Sequence, residues 1–114
     1  MANVYTNYKT VLSTSALTTL YTVSSETTAI IKSIRVSNVD AQNDCKISIY
    51  LVDTSSVSYT LEANRNIQKG TSEELFNSYS FSTSPVVLKE SEALKVHAEN
   101  GGDLHVILSV LEIS

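Results

Sequence analysis

Apolar and polar residues alternate along most of this chain with a period of two, the repeat of a strand with one face packed and one face wet. Cys45–Val52 shows it most clearly: Cys45, Ile47, Ile49 and Leu51 share one face, and Lys46, Ser48 and Tyr50 share the other. Val57–Ala63 repeats the pattern, and the intervening Asp53-Thr54-Ser55-Ser56 predicts a hairpin turn. Thr28–Asn38 forms a strand of broken phase, with Ile30, Ile34 and Val36 on one face with Lys32, and Ile31 opposite. An extra residue near Lys32-Ser33, a β-bulge, accounts for the break. Towards the C-terminus Leu94, Val96 and Ala98 alternate with Lys95, His97 and Glu99. Asn100-Gly101-Gly102-Asp103 then predicts a tight turn and a hairpin with Leu104–Leu111. That last run is apolar on nearly both faces, so it is expected centrally or against a second layer.

Shorter strands are expected at Thr18–Val23 and Val86–Leu88, the latter opened by Pro85, and Tyr5–Leu12 reads as an edge strand or an arm. The best helical window, Ser72–Phe76, amounts to one turn at most. Strand signals every ten residues or so, with polar or glycine-bearing breaks, point to a sandwich or a barrel, and an all-β antiparallel sandwich of about eight strands is the expected fold. With 114 residues the chain holds one core. Residues 1–16 are expected as an N-terminal arm or edge strand and 17–114 as a single sandwich domain.

Composition narrows function mainly by exclusion. The net charge is −4 and no segment clusters Lys and Arg, so a phosphate backbone finds no basic footprint and nucleic acid is not an expected partner. One cysteine, Cys45, rules out an internal disulfide framework; its place in an apolar alternation makes it a small buried hydrophobe. The N-terminal residues carry no basic and apolar signal pattern, and no apolar run approaches the ~20 residues of a membrane span. Synthesis and folding in a cytoplasm, without a membrane partner, are expected.

Candidate chemistry is sparse. In the predicted hairpin His97 and His105 face each other, a geometry able to bind a metal or sense pH, but only Asp103 and Glu99 stand near as a third ligand. Asp40-Ala41-Gln42-Asn43-Asp44 is oxygen-rich but lacks the spacing and terminal Glu of a calcium loop, which favours a polar turn. Glu90 and Glu92 flank a turn and are expected to be solvated, and no helix follows Gly101-Gly102 to cradle a phosphate. Serines abound without a nucleophile-elbow glycine pattern, leaving only His97 or His105 as a base. No enzyme activity, catalytic residue, metal or cofactor is therefore expected. Sandwich edges and Ser/Thr/Tyr-rich faces suit protein–protein contact instead. Val4, Tyr5 and Tyr8 are the candidates for a docking arm, with an ordinary first strand as the alternative.

Two blocks carry a family resemblance. Leu17–Val23 followed by Thr27–Asn38, and Pro85–Val96 with the ending Leu108–Ile113, resemble a recurring pattern in small virion proteins of tailed phages, including those of marine cyanobacteria. Ser24-Ser25-Glu26 stands where that pattern has a Pro-containing turn ending in Gly, and Glu90-Ser91-Glu92 replaces a Gly-Asp turn. The resemblance implies an immunoglobulin-like sandwich, within a fold class that also takes in jelly-roll-like arrangements. It also implies a structural role in a virion, on capsid (as decoration), neck or tail. Expected partners are other virion proteins and further copies of the chain. The expected place is the virion, after synthesis in the host bacterial cytoplasm. The alternative is a glycan-binding adhesion module of a phage tail or fibre.

Overall fold

The computed structural model describes residues 3–13, 15–75 and 86–114. Among them the period-two segments form nine strands: β1 (Asn3–Val11), β2 (Thr18–Thr22), β3 (Thr28–Asn38), β4 (Cys45–Val52), β5 (Ser58–Ile67), β6 (Ser72–Glu74), β7 (Val86–Leu88), β8 (Ala93–Ala98) and β9 (Leu104–Ile113). All pairs are antiparallel. Sheet I runs β1-β9-β3 with β6 and β7 on the far side of β3, and sheet II runs β2-β8-β4-β5. The core lies between them, where Ile31, Ile34, Val36, Val106 and Leu108 of sheet I meet Cys45, Ile47, Ile49, Leu94 and Val96 of sheet II.

β6 pairs with Arg35–Ser37 and β7 with Ala29–Ile31. They therefore lie end to end along one edge of β3 and share a single strand position. Counted so, eight strands remain. The first, third, sixth and last occupy one sheet and the others the second, which is the double Greek key of a jelly roll. The immunoglobulin-like expectation is thereby corrected: there the first two strands lie in one sheet, whereas β1 and β2 lie in different sheets. The best helical window, Ser72–Phe76, forms no helix among its described residues. Ser72–Glu74 is strand β6, because the open edge of β3 supplies hydrogen bonds that one isolated turn cannot. Phe76 and Pro85 lie outside the described residues.

The C-terminal hairpin is the largest correction. β8 and β9 do not pair; β8 sits between β2 and β4, and β9 between β1 and β3. Residues 99–103 arch from one sheet to the other, held where Glu99 N–H donates to Lys46 C=O at 2.9 Å and Gly102 N–H to Leu12 C=O at 2.6 Å. Gly102 takes φ +88° there, a conformation other residues rarely adopt. Both strands have one strongly apolar face. Stacking Leu94, Val96 and Ala98 across the core from Leu104, Val106 and Leu108 buries both faces at once.

Other local expectations hold. The register shift falls between Ile31 and Ser33, leaving Lys32 exposed and both Ile31 and Ile34 buried. Asp53 closes the β4–β5 turn by accepting the Ser55 and Val57 amides at 2.9 and 3.0 Å. A second irregularity in β4–β5 surrounds Asn64, at φ +49°. The Asn64 N–H donates to the Oγ of buried Ser48 at 3.0 Å, satisfying a group that the bulge removes from the ladder. Ser48→Ala is expected to destabilise the fold by about 1–2 kcal/mol, read as a lower urea midpoint with unchanged slope.

The two turns that depart from the phage pattern share a feature. Glu26 and Ser91 adopt φ +59° and +67°, the left-handed region that favours glycine. Glu26 N–H is capped by Glu90 Oε2 at 2.6 Å, and Glu92 Oε1 accepts Lys89 N–H at 2.8 Å. The two carboxylates thus close turns rather than standing free. Glu26→Gly and Ser91→Gly are each expected to raise stability by up to ~1 kcal/mol, because relief of strain exceeds the added chain entropy. A rise in the thermal midpoint checks this.

Candidate assembly surface

The side chains considered for chemistry are scattered. His97 points from the outer face of sheet II, opposite Ser48 on β4. His105 points from the outer face of sheet I, between Val11 and Ser37. The arch that separates β8 from β9 puts the two imidazoles on opposite outsides of the sandwich, so the expected facing pair is not formed. Among the described residues no group of three His, Cys, Asp or Glu side chains could hold a metal. Cys45 is buried, and burial pushes its thiol up from the ordinary value.

The oxygen-rich loop is a turn, as expected, with Asp40 turned onto the loop's own backbone and Asp44 onto the end of β5 and the turn after it. Asp40 accepts from the Gln42 and Asn43 amides at 2.8 and 3.2 Å, and Asp44 from Lys69 N–H at 2.9 Å and Asn66 Nδ2 at 3.1 Å. The Gln42 amide first, for Asp40, and the Lys69 amide first, for Asp44, hold these carboxyls below the usual range. A depressed folded-state pKa contributes stability that is present above the unfolded value, near 3.8 here, and is lost as pH falls through the folded one. The thermal midpoint is therefore expected to fall below about pH 4, with a shallower acid slope in Asp44→Asn.

The outer faces of the two sheets differ in chemistry. Sheet II presents Lys46, Tyr50, Thr60, Lys95 and His97. Sheet I presents a continuous apolar row, because the registers align Tyr5 with Leu111, Leu111 with Ile30, and Ile30 with Val87. Tyr5 is 73% exposed and Val87 46%. Beyond the polar row of Asn7, Ser109 and Ser33, Ile107 is exposed between Lys9 and Arg35, and a row further on Val11 is exposed beside His105. The apolar row is not visible along the chain, because each of its members lies on a different strand and only pairing brings them into line.

The four sheet edges also differ. β2 is five residues long and broken by a register shift at Thr19/Tyr21. β5 is kinked at Asn64 and carries the ion pair of Arg65 with Glu62, at 3.7 Å. The β6/β7 edge is made of two three-residue strands, and Glu73 of β6 meets Arg65 at 3.7 Å across the sandwich. Short strands, bulges and charges are the usual means of blunting an edge. β1 has none of them beyond Lys9: its nine residues pair with β9 in unbroken register.

Val4, Tyr5 and Tyr8 all lie in β1, so residues 3–11 form the edge strand and not a free arm. Tyr8 faces the core rim, where its ring meets Tyr21 of sheet II with centroids 4.4 Å apart. Both hydroxyls donate to Glu112 Oε2, at 3.0 Å from Tyr8 and 2.5 Å from Tyr21. Burial, reinforced by the carboxylate, raises both phenols, Tyr21 the more strongly. This seam fastens the β1 edge to sheet II and leaves Val4, Tyr5 and Val11 as its exposed apolar groups.

No protein-family model and no curated protein matches the chain. Among solved structures, it is similar to a chain of the T13 particle of infectious bursal disease virus, with TM-score 0.50 and 9% identity over 96% of this chain and 30% of that one. A chain from the Gx strain of the same virus gives TM-score 0.47 and 14% identity over 96% and 32%. The chain thus spans about a third of the length of the solved chains it matches. At these identities the likeness is one of fold.

Proposed function

We propose that the chain is a non-enzymatic structural component of a tailed-phage virion, assembling by protein–protein contacts onto capsid, neck or tail. The observation that carries this is the apolar row across sheet I, which ends on the unblunted β1 edge. A jelly roll with such a face suits burial against another protein, and jelly rolls recur in viral shells. The likeness of fold to a viral-particle chain and the resemblance to small phage virion proteins point the same way. Fold alone does not assign a task, since lectins use the same architecture. The working mechanism is area buried at the contact, with no bond made or broken. The partners are other virion proteins and copies of the chain itself, and its place is the particle, reached from the host cytoplasm.

Mass spectrometry of purified particles, followed by location in a particle reconstruction, tests the proposal. Stoichiometric presence supports it, and absence from mature particles overturns it. Saturable binding of the isolated domain to a glycan array, with the chain confined to fibre tips, would support an adhesion module instead.

A further inference from the structure

We propose that a second copy of this chain pairs with β1, antiparallel, across a twofold axis at Tyr8, making one continuous sheet from the two copies of sheet I. The proposal rests on reading the chain as an assembly protein and names its first partner.

The backbone sets the parity. Leu12 donates to Leu104 C=O at 2.9 Å and accepts from Gly102, so its N–H and C=O face β9. Alternation along an extended strand then directs those of residues 4, 6, 8 and 10 to β9, and those of Asn3, Tyr5, Asn7, Lys9 and Val11 to the open edge. An edge of this kind is a template for a strand of a neighbouring chain. A twofold contact uses the same patch on both copies, so the strand must complement itself.

Side chains select the register. A twofold at Asn7 would set Tyr5 against the partner's Lys9, and one at Lys9 would set the two lysines together. A twofold at Tyr8 pairs Tyr5 with the partner's Val11, Asn7 with the partner's Lys9, and Val4 with the partner's Leu12. The Tyr5–Val11 and Asn7–Lys9 pairs are each made twice and exchange about eight main-chain hydrogen bonds in all. The same register brings Tyr5, the most exposed large apolar side chain, to a cavity of about 340 Å³ lined by Lys9, Val11, His105 and Ile107 of the other copy. Cross-strand aromatic–β-branched pairs are favourable, and each copy's apolar row is extended across the edge by the partner's Val11. Three of the four edges are short or kinked, and the open one has a self-complementary register.

Sedimentation equilibrium of the full chain tests this through Asn7, an exposed side chain on the outer face. The wild type is expected to be a dimer. Asn7→Lys places two like charges opposite each other at two symmetric positions and is expected to weaken dimerisation tenfold or more. Asn7→Asp places a carboxylate against the partner's Lys9 twice and is expected to tighten it at low salt, the gain fading at high salt. Asn7→Pro removes an outward N–H and is expected to give a folded monomer, checked by circular dichroism. A wild type that stays monomeric at all concentrations overturns the proposal. So does a dimer insensitive to the Lys/Asp exchange, or one weakened by Asp, as the Asn7-centred register would require. Particle mass spectrometry separates this from the functional reading: a monomer found in virions overturns the pairing alone, and a β1 dimer absent from virions overturns the virion role alone.

Discussion

Asn38→Ala is expected to cost the fold about 2–4 kcal/mol, since it removes one buried and two part-buried hydrogen bonds together. Asn38 ends β3 in sheet I and is 2% exposed. Its Nδ2 donates to Ile67 C=O of sheet II at 2.9 Å and to Asn43 C=O at 3.1 Å, and its Oδ1 accepts Asp40 N–H at 2.9 Å. One side chain thus bolts the two sheets together at the end where the β3–β4 connection crosses between them. Removing it leaves the buried Ile67 carbonyl without this partner where hydration is costly, and frees the Asn43 carbonyl and Asp40 amide at the rim. Asn38→Asp is expected to be at least as damaging near neutral pH, because it faces two carbonyls with a carboxylate in place of a donor. Chemical denaturation should show a lower midpoint for both variants. An Asn38→Ala midpoint within experimental error of wild type would mean that the cross-sheet bond is not formed in solution.

Leu108→Ala, in the centre of β9, is expected to lower stability by about 2–5 kcal/mol, through lost burial and the cavity left behind. Its neighbour Ile107 is 44% exposed on the outer face of sheet I, so Ile107→Ala is expected to change stability by no more than about 0.5–1 kcal/mol. Leu108 is fully buried, flanked by Tyr8 and Ile34. For a domain of this size the Leu108 variant should melt roughly 10 °C or more below wild type. The contrast between adjacent residues tests the register directly, since a one-residue slip would exchange the two outcomes. It also separates the two tasks of β9: Leu108 holds the core, and Ile107 remains available at the surface from which assembly is proposed.

Much of this architecture was legible along the chain. The alternation in Cys45–Leu51 named the buried face of β4, the broken phase around Lys32 located the bulge in β3, and Asp53 marked a turn that its carboxylate does close. These succeed because they are local: the pleat forces neighbouring side chains to opposite faces, and an extra residue shifts everything after it. The failures were of partnership. Asn100–Asp103 looks like a hairpin turn from either side, yet β8 and β9 go to different sheets, and with them His97 and His105 to opposite faces. Glu90 and Glu92 do flank turns at the surface, but the amides their carboxylates accept were not legible. The candidate surface was half visible. Val4 and Tyr5 drew notice by their bulk, but the row from Tyr5 through Leu111 and Ile30 to Val87 spans residues far apart in the chain.

By itself, then, the sequence determined that this protein is built of strands, which residues of most of them face inward, and that no local motif announces catalysis. Only the tertiary structure decided which strands lie side by side, that β6 and β7 complete a jelly roll, that Asn38 bolts the sheets, and that β1 is the edge left open. The reason is physical. Side-chain alternation is written residue by residue, whereas main-chain hydrogen bonds are the same for any pair of strands. The partner is therefore chosen by the best joint burial of faces distant in sequence, a property of the assembled sandwich that no single segment contains.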